Sequence, residues 1–268
     1  MPKNERGNTG VHLYCLIKFS SRKNDALLKD FETFPDVYGL SISPLCTRQR
    51  GLSIIIRGVF MLVVLEGIDG VGKSTIAQAV RKTFVLNDVV LCSDPCKEHP
   101  ATLALRQYVL ARGTTLPIST QVEIFKAARL ILWHDIIQPA LDGKALVICD
   151  RLWLSTWVYQ DVEVEPIPKI DLLIYLYDKP EAISDRMVKR GLENGWDIPD
   201  VAHLSALDAK YRAAITKATL EKNAIHEAVQ VNASSIKKAT AEIVKLITER
   251  KSGLRIFDTP FAYLAPTT

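Results

Sequence analysis

The sequence predicts an α/β fold, a five-stranded parallel sheet with helices on both faces, and three observations carry that prediction. From Met61 onward, short β-branched apolar runs alternate with longer helical stretches, the pattern of a sheet built from strand–helix–strand crossovers. The runs are apolar throughout, as strands buried on both faces are. The first of them leads directly into a glycine-rich turn, Gly67-Ile68-Asp69-Gly70-Val71-Gly72-Lys73-Ser74, and a helical stretch follows at once.

In chain order the strands are Met61–Leu65, Val89–Cys92, Ala145–Cys149, Leu172–Leu176 and Ala228–Val231, and helices begin near Lys73, Ala101, Thr120, Ser155, Pro180, Ala202 and Ile236. Sheets of this kind take their ligands beyond the carboxyl ends of the strands, where the strand order reverses. Residues 1–60 show no clear period, although Val11–Leu16 alternates like a strand and Asp25–Phe31 spans one or two helical turns. Residues 251–268, with Pro260 and Pro266, read as an irregular tail. The expected organisation is an N-terminal extension (1–60), one α/β domain (61–250) and a C-terminal tail (251–268). Phe60-Met61-Leu62-Val63 begins like a complete domain of its own, so Met61 reads as a natural start. The leader is then read-through, a partner-binding arm or a lineage-specific addition.

At 268 residues, 48% hydrophobic and 24% charged, the chain is long enough for one sizeable core and an additional segment. No apolar run reaches the roughly 18 to 20 residues that cross a bilayer. The longest, Ile54–Leu65, is broken by Arg57 and Gly58, so no membrane partner is expected. The leader's acidic residues set it apart from a transit peptide, and no signal-peptide core stands near Met1. The five cysteines, Cys15, Cys46, Cys92, Cys96 and Cys149, are odd in number and lack zinc-ligand spacing. A reducing, cytoplasmic compartment is expected. The net charge of +4 falls wholly in the first 60 residues, where nine Lys and Arg face five Asp and Glu; the remainder is balanced, 25 against 25. A neutral body offers no basic stripe for nucleic acid, which is excluded as a partner.

The glycine-rich turn has the spacing Gly-x4-Gly-Lys-Ser between a strand and a helix. Its backbone amides can close round a β-phosphate at the positive end of the helix. Lys73 can reach the β- and γ-phosphates, and Ser74 can ligate Mg²⁺. Gly67, Ile68, Asp69, Gly70, Val71, Gly72, Lys73, Ser74 and Thr75 form the expected ATP-binding set. Within it, the carboxylate of Asp69 would repel a triphosphate unless turned toward Mg²⁺, its waters or an acceptor hydroxyl. The third strand ends in Asp150-Arg151, delivering an acid and a cation to the same sheet edge. That pair suits a Mg²⁺-associated carboxylate beside a guanidinium neutralising a transferred phosphoryl group.

Taken together, the phosphate loop, Phe125-x3-Arg129, Asp150-Arg151-x3-Ser155-x3-Tyr159-Gln160, Ile170-Asp171-Leu172-Leu173-Ile174-Tyr175-Leu176 and the stretch Arg186 to Gly191 resemble the ordered motifs of the thymidylate kinases. The likeness covers about residues 58–248. It implies a P-loop kinase three-layer sandwich with a helical lid, and transfer of phosphate from ATP to dTMP with Mg²⁺. By the same resemblance Phe125 stacks on thymine, Arg129 donates to its O4, Ser155 contacts the base and Tyr159 crowds the 2′ position. Thr156 adds a base contact, Arg151 holds the acceptor phosphate, and Asp69 meets the 3′-hydroxyl or a Mg²⁺ water. Asn232-Ala233-Ser234 matches an adenine-contacting loop, while Asn232 reads equally as a turn residue. The family's dimers make a homodimer the expected assembly. A broader deoxynucleoside monophosphate or nucleoside kinase is the alternative activity, and a non-catalytic nucleotide-binding module the third.

The chain departs from the family pattern in three places. Ser93-Asp94-Pro95-Cys96-Lys97 stands where many bacterial members have Arg-Glu-Pro-Gly, and Leu152 replaces a common Tyr. Lys97 either supplies the missing charge to the acceptor phosphate or stays a solvated loop lysine. Gly70 occupies a position that is Arg in some members, and those with Gly usually bring the arginine from the lid, yet no arginine lies between Gly191 and Arg212. Arg186, Lys189 and Arg190 precede the lid stretch, and Arg190 is the expected catalytic cation.

Overall fold

A computed structural model describes residues 61–84, 89–164, 168–191 and 197–250. The expected extension (1–60), the tail (251–268) and the stretch 192–196 after Gly191 lie outside the described residues. The elements run β1 (Met61–Glu66), α1 (Lys73–Thr83), β2 (Val89–Ser93), α2 (Pro100–Arg112), α3 (Ile118–Leu132), α4 (Gln138–Asp142), β3 (Leu146–Asp150), α5 (Trp153–Gln160), β4 (Ile170–Tyr177), α6 (Pro180–Arg190), α7 (Val201–Leu220), β5 (Ile225–Asn232) and α8 (Ile236–Glu249). All five strands pair in parallel in the order β2-β3-β1-β4-β5.

The apolar strands become the middle of the core. In β1, Leu62 to Glu66 are all buried, and in β3, Leu146 to Cys149 are. Because β1 pairs with β3 on one side and β4 on the other, the strand order reverses beside β1. The register Leu65↔Asp150 brings the start of the glycine turn level with Asp150-Arg151. The two motifs, remote in sequence, thereby share one crevice.

The expected strands all form, with different ends. The expected Ala228–Val231 extends to Ile225–Asn232. This strand pairs only with β4, and its edge position admits the alternation of buried Ile225 with exposed His226 that an apolar-run criterion passes over. Helix α5 begins at Trp153, before the expected Ser155, with Trp153 and Leu154 buried. The Asp200 side chain caps α7 by accepting from the His203 N–H at 2.7 Å, and Ser235 caps α8 in the same way. Cys92, Cys96 and Cys149 are buried free thiols. Among the described residues no helix is long and apolar enough to cross a membrane.

Candidate active site

The glycine turn is shaped by backbone that side chains would obstruct. Gly67 has φ +150°, and a Cβ there would lie 2.5 Å from the Leu176 carbonyl oxygen. Gly70 has φ +80°, and its Cβ would meet Met187 Cγ of α6 at 2.6 Å. An arginine at position 70 would therefore collide with α6 in an unfavourable backbone region. The loop ends at Gly72, which caps α1.

Lys73 is buried and folds back over the loop, donating to the carbonyls of Gly67 at 2.8 Å and Ile68 at 2.9 Å. Burial, assisted by the charge of Arg151, lowers its pKa to about 8 against the pull of Asp69, Asp150 and Glu66. The Ser74 hydroxyl donates to Asp150 Oδ2. The other oxygen of that carboxylate, Oδ1, is buried without a partner. A hydroxyl beside a carboxylate with an uncommitted oxygen is the donor chemistry a hard divalent cation takes.

Asp69 forms an ion pair with Arg151, and its N–H donates to the Tyr159 hydroxyl at 3.2 Å. Burial pushes the Asp69 carboxyl up, but Arg151 and Lys73 together hold it well below the usual carboxylate range. Arg151 itself has φ +71°, an uncommon backbone state for a residue with a Cβ. Its N–H is anchored to the Leu65 carbonyl at 3.0 Å. Its Nη1 donates to Ser155 Oγ at 2.8 Å and Tyr211 Oη at 3.1 Å, and its guanidinium lies 5.3 Å from the Tyr159 ring centroid.

At the other end of the crevice, Phe125 and Arg129 sit one turn apart on α3 and both face the cavity. Arg129 is buried. Its Nε donates to Asp94 Oδ2 at 2.7 Å and its Nη2 to Thr156 Oγ1 at 2.8 Å, so among the described residues both N–H groups of Nη1 and the second of Nη2 are uncommitted. Burial raises the Asp94 pKa against the neighbouring Arg129. Thr156 thus braces the arginine expected to read the base. Gln160 meets Gln121 at 3.3 Å.

One cavity of about 720 Å³ gathers Asp69 to Thr75, Lys97, Phe125, Arg129, Asp150, Arg151, Ser155, Thr156, Tyr159 and Arg190. Gly67 and Ile68 lie behind it, where their carbonyls hold Lys73. Ala233 and Ser234 line its outer end. Asn232 accepts from the Ser234 N–H at 3.0 Å, which is the turn reading of that residue. Lys97 is exposed on the rim.

Four charged residues in this cavity, Asp94, Arg106, Arg186 and Asp197, escaped sequence reasoning as site residues. Asp94 stood in the departing segment. Arg106 on α2 lines the cavity without an ion pair or hydrogen bond among the described residues. Its spacing from Thr102 and Val109, both buried, places it on the inward face of the helix, and that was its readable signal. Arg186 is expected only as an alternative to Arg190. It donates from Nε to the Gly70 carbonyl at 3.3 Å and from Nη1 to Asp178 at 2.7 Å, while its Nη2 is buried without a partner. Arg190 donates instead to Asp197 at 3.2 Å.

Comparison with known proteins agrees with this fold. The chain is 27% identical over 197 residues to the thymidylate kinase of Mycoplasmoides gallisepticum, covering 65% of this chain and 92% of that one. It is 30% identical over 173 residues to a probable thymidylate kinase of Methanocorpusculum labreanum, covering 59% and 84%. Among solved structures, the thymidylate kinase of Candida albicans has the same fold at 22% identity, with a TM-score of 0.53, covering 71% of this chain and 92% of that one. The Ehrlichia chaffeensis thymidylate kinase superposes with a TM-score of 0.50 at 21% identity, covering 70% and 98%. The family model for thymidylate kinase matches residues 65–229, and with the phosphate loop, the Asp150-Arg151 strand end and the five-stranded parallel sheet in place, the chain belongs to the thymidylate kinase family and is a nucleoside monophosphate kinase.

Proposed function

We propose that the chain transfers the γ-phosphoryl group of ATP to dTMP, giving ADP and dTDP, in the cavity between the phosphate loop and α3. The observation that carries this is the union in one cavity of Lys73, the Asp69–Arg151 pair and the Phe125–Arg129 turn. An oxygen of the acceptor phosphate attacks the γ-phosphorus in line, and the bond to the β,γ-bridging oxygen breaks. The acceptor phosphate is already largely ionised at neutral pH, so no general base is needed. Catalysis then rests on position and charge.

Lys73 and the amides of Gly70 to Ser74 hold the donor phosphates, with Thr75 at the first turn of α1. Arg151 lies between the two substrates and neutralises the transferred group, while Asp69 holds that guanidinium and faces the acceptor sugar. Ser74 and Asp150 are the residues that would hold Mg²⁺, which supplies charge neutralisation on the phosphate oxygens. Arg186, anchored on the loop through Gly70, presents its uncommitted Nη2 as the α6 cation, with Arg190 one turn further out. Arg106 and Lys97 receive the acceptor's phosphate end. Phe125 stacks on the base, and Arg129 offers Nη1 to an O4 acceptor, a donor that cytosine's amine cannot satisfy. Ser155 holds Arg151, and Tyr159 packs where a 2′-hydroxyl would sit. Exposed Tyr108 on α2 and Leu130 on α3, two helices packed against each other, support a homodimer through the α2–α3 side.

The reading is tested by incubating purified protein with ATP, Mg²⁺ and dTMP and separating the nucleotides. Equimolar ADP and dTDP are expected. Hydrolysis of ATP without dTDP would contradict the reading.

A further inference from the structure

Behind Arg151 lies a buried bracket that touches neither substrate. Glu66, the last residue of β1, and Tyr211, in the middle of α7, are both 0% exposed and line no part of the cavity. Glu66 Oε1 accepts from the Leu152 N–H at 2.9 Å. Its Oε2 accepts from Ser155 Oγ at 2.8 Å and from Tyr211 Oη at 3.3 Å. Each of those hydroxyls, having donated inward to the carboxylate, accepts from Arg151 Nη1 on its outer side. The two hydroxyls also lie 3.0 Å from each other, so the bracket closes on itself, and its hydrogen bonds lead from the guanidinium through Ser155 and Tyr211 to a buried carboxylate.

The donor count of Arg151 gives the bracket its meaning. A guanidinium has five N–H groups. Both on Nη1 go to Ser155 and Tyr211, and one on Nη2 goes to Asp69. Nε–H and the second Nη2–H remain for phosphate oxygens. Fixing Nη1 fixes the plane of the guanidinium and therefore the direction of those two donors. A buried carboxylate is costly to retain without such a purpose or partner. Here its charge offsets that of Arg151 without occupying the donors that face the substrates.

Resting on the phosphoryl transfer proposed above, we propose that Tyr211 and Glu66 are positioning residues that act through Arg151, setting the orientation in which its guanidinium meets the transferred group. Tyr211 lends the bracket a third element, α7, besides β1 and α5. Its ring is held by Tyr175 at 5.6 Å and Tyr159 at 6.2 Å between centroids, so its hydroxyl is placed without the hydrogen bonds it makes.

Steady-state kinetics of the full chain with ATP and dTMP test this, with wild-type turnover read first. Its absence would overturn the assigned reaction and this proposal with it. Tyr211→Phe keeps the ring and removes the hydroxyl. Its kcat is expected to fall about tenfold to a hundredfold, the scale of one hydrogen bond to a charged group. Binding of a fluorescent ATP analogue should change by less than about twofold, because Lys73 and the loop are untouched. In an Arg151→Ala background, measured by single turnover, the same substitution is expected to cost less than about twofold further, since a residue acting only through Arg151 has nothing left to orient. Glu66→Gln should repeat the pattern and decides the matter if Tyr211→Phe does not fold. Wild-type kcat in both folded variants, or an equal loss with and without Arg151, would overturn the proposal.

Discussion

The two ends of the cavity are built on opposite plans. At the phosphate loop most of the charge is answered within the protein: Asp69 meets Arg151, Arg186 meets Asp178, Ser74 meets one oxygen of Asp150, and Lys73 is held by two carbonyls. At the proposed acceptor end, Lys97 and Arg106 have no acidic partner among the described residues, and Arg129, though paired with Asp94, keeps three of its five N–H groups uncommitted. The first plan fixes groups where charge moves during reaction, so little reorganisation remains to be done then. The second leaves positive charge to be neutralised by the incoming monophosphate, which links occupancy of the acceptor site to its electrostatics.

The contrast can be broken from either end. The largest effect belongs to Lys73→Ala, which should lower kcat about a thousandfold with the fold intact by circular dichroism, because it removes the cation aimed at the β- and γ-phosphates. Arg186→Ala should cost kcat about a hundredfold and Arg190→Ala less than about tenfold, as only the first has an uncommitted nitrogen held against the loop. The reverse order would return the role to Arg190. On the acceptor side, Arg106→Ala should raise KM for dTMP about tenfold and leave KM for ATP unchanged.

The smallest effect is a pH dependence. The pKa of Lys73, lowered to about 8 without ligand, should rise again beside a triphosphate. ATP binding then takes up a proton, and affinity falls as pH rises through that value. Between about pH 7.5 and 8.5 the fall should be about threefold. Calorimetry in buffers of different ionisation enthalpy would detect the proton, and release of a proton would contradict the assignment.

What the sequence made legible was what it keeps contiguous or at the end of a strand. The loop from Gly67 to Ser74 is one segment, and Asp150-Arg151 follows an apolar run that could only be a buried strand, so the parallel sheet joins them. Helical spacing likewise put Phe125 with Arg129 and Ser155 with Tyr159. The partners of these residues were not legible, because they come from distant elements. Asp94 reaches Arg129 across 35 residues, Arg186 reaches Gly70 across 116, and Tyr211 reaches Glu66 across 145. Such pairings are fixed by the packing of helices on the sheet, which no local pattern encodes. Thr156 and Ser155 line the cavity as expected of groups near the base, and for the same reason their bonds to Arg129 and Arg151 were not legible.

The most direct test of the account is an acceptor panel with ATP, comparing kcat/KM for dTMP, dUMP, dCMP, dGMP and thymidine. With Arg129 fixed as a donor, and Lys97 and Arg106 without acidic partners among the described residues, dTMP should lead. dUMP should trail by the roughly 10- to 200-fold that one methyl is worth, and dCMP and thymidine should be poorer still. If dGMP or thymidine surpassed dTMP tenfold, the assignment of the acceptor end to Phe125, Arg129, Arg106 and Lys97 would be wrong.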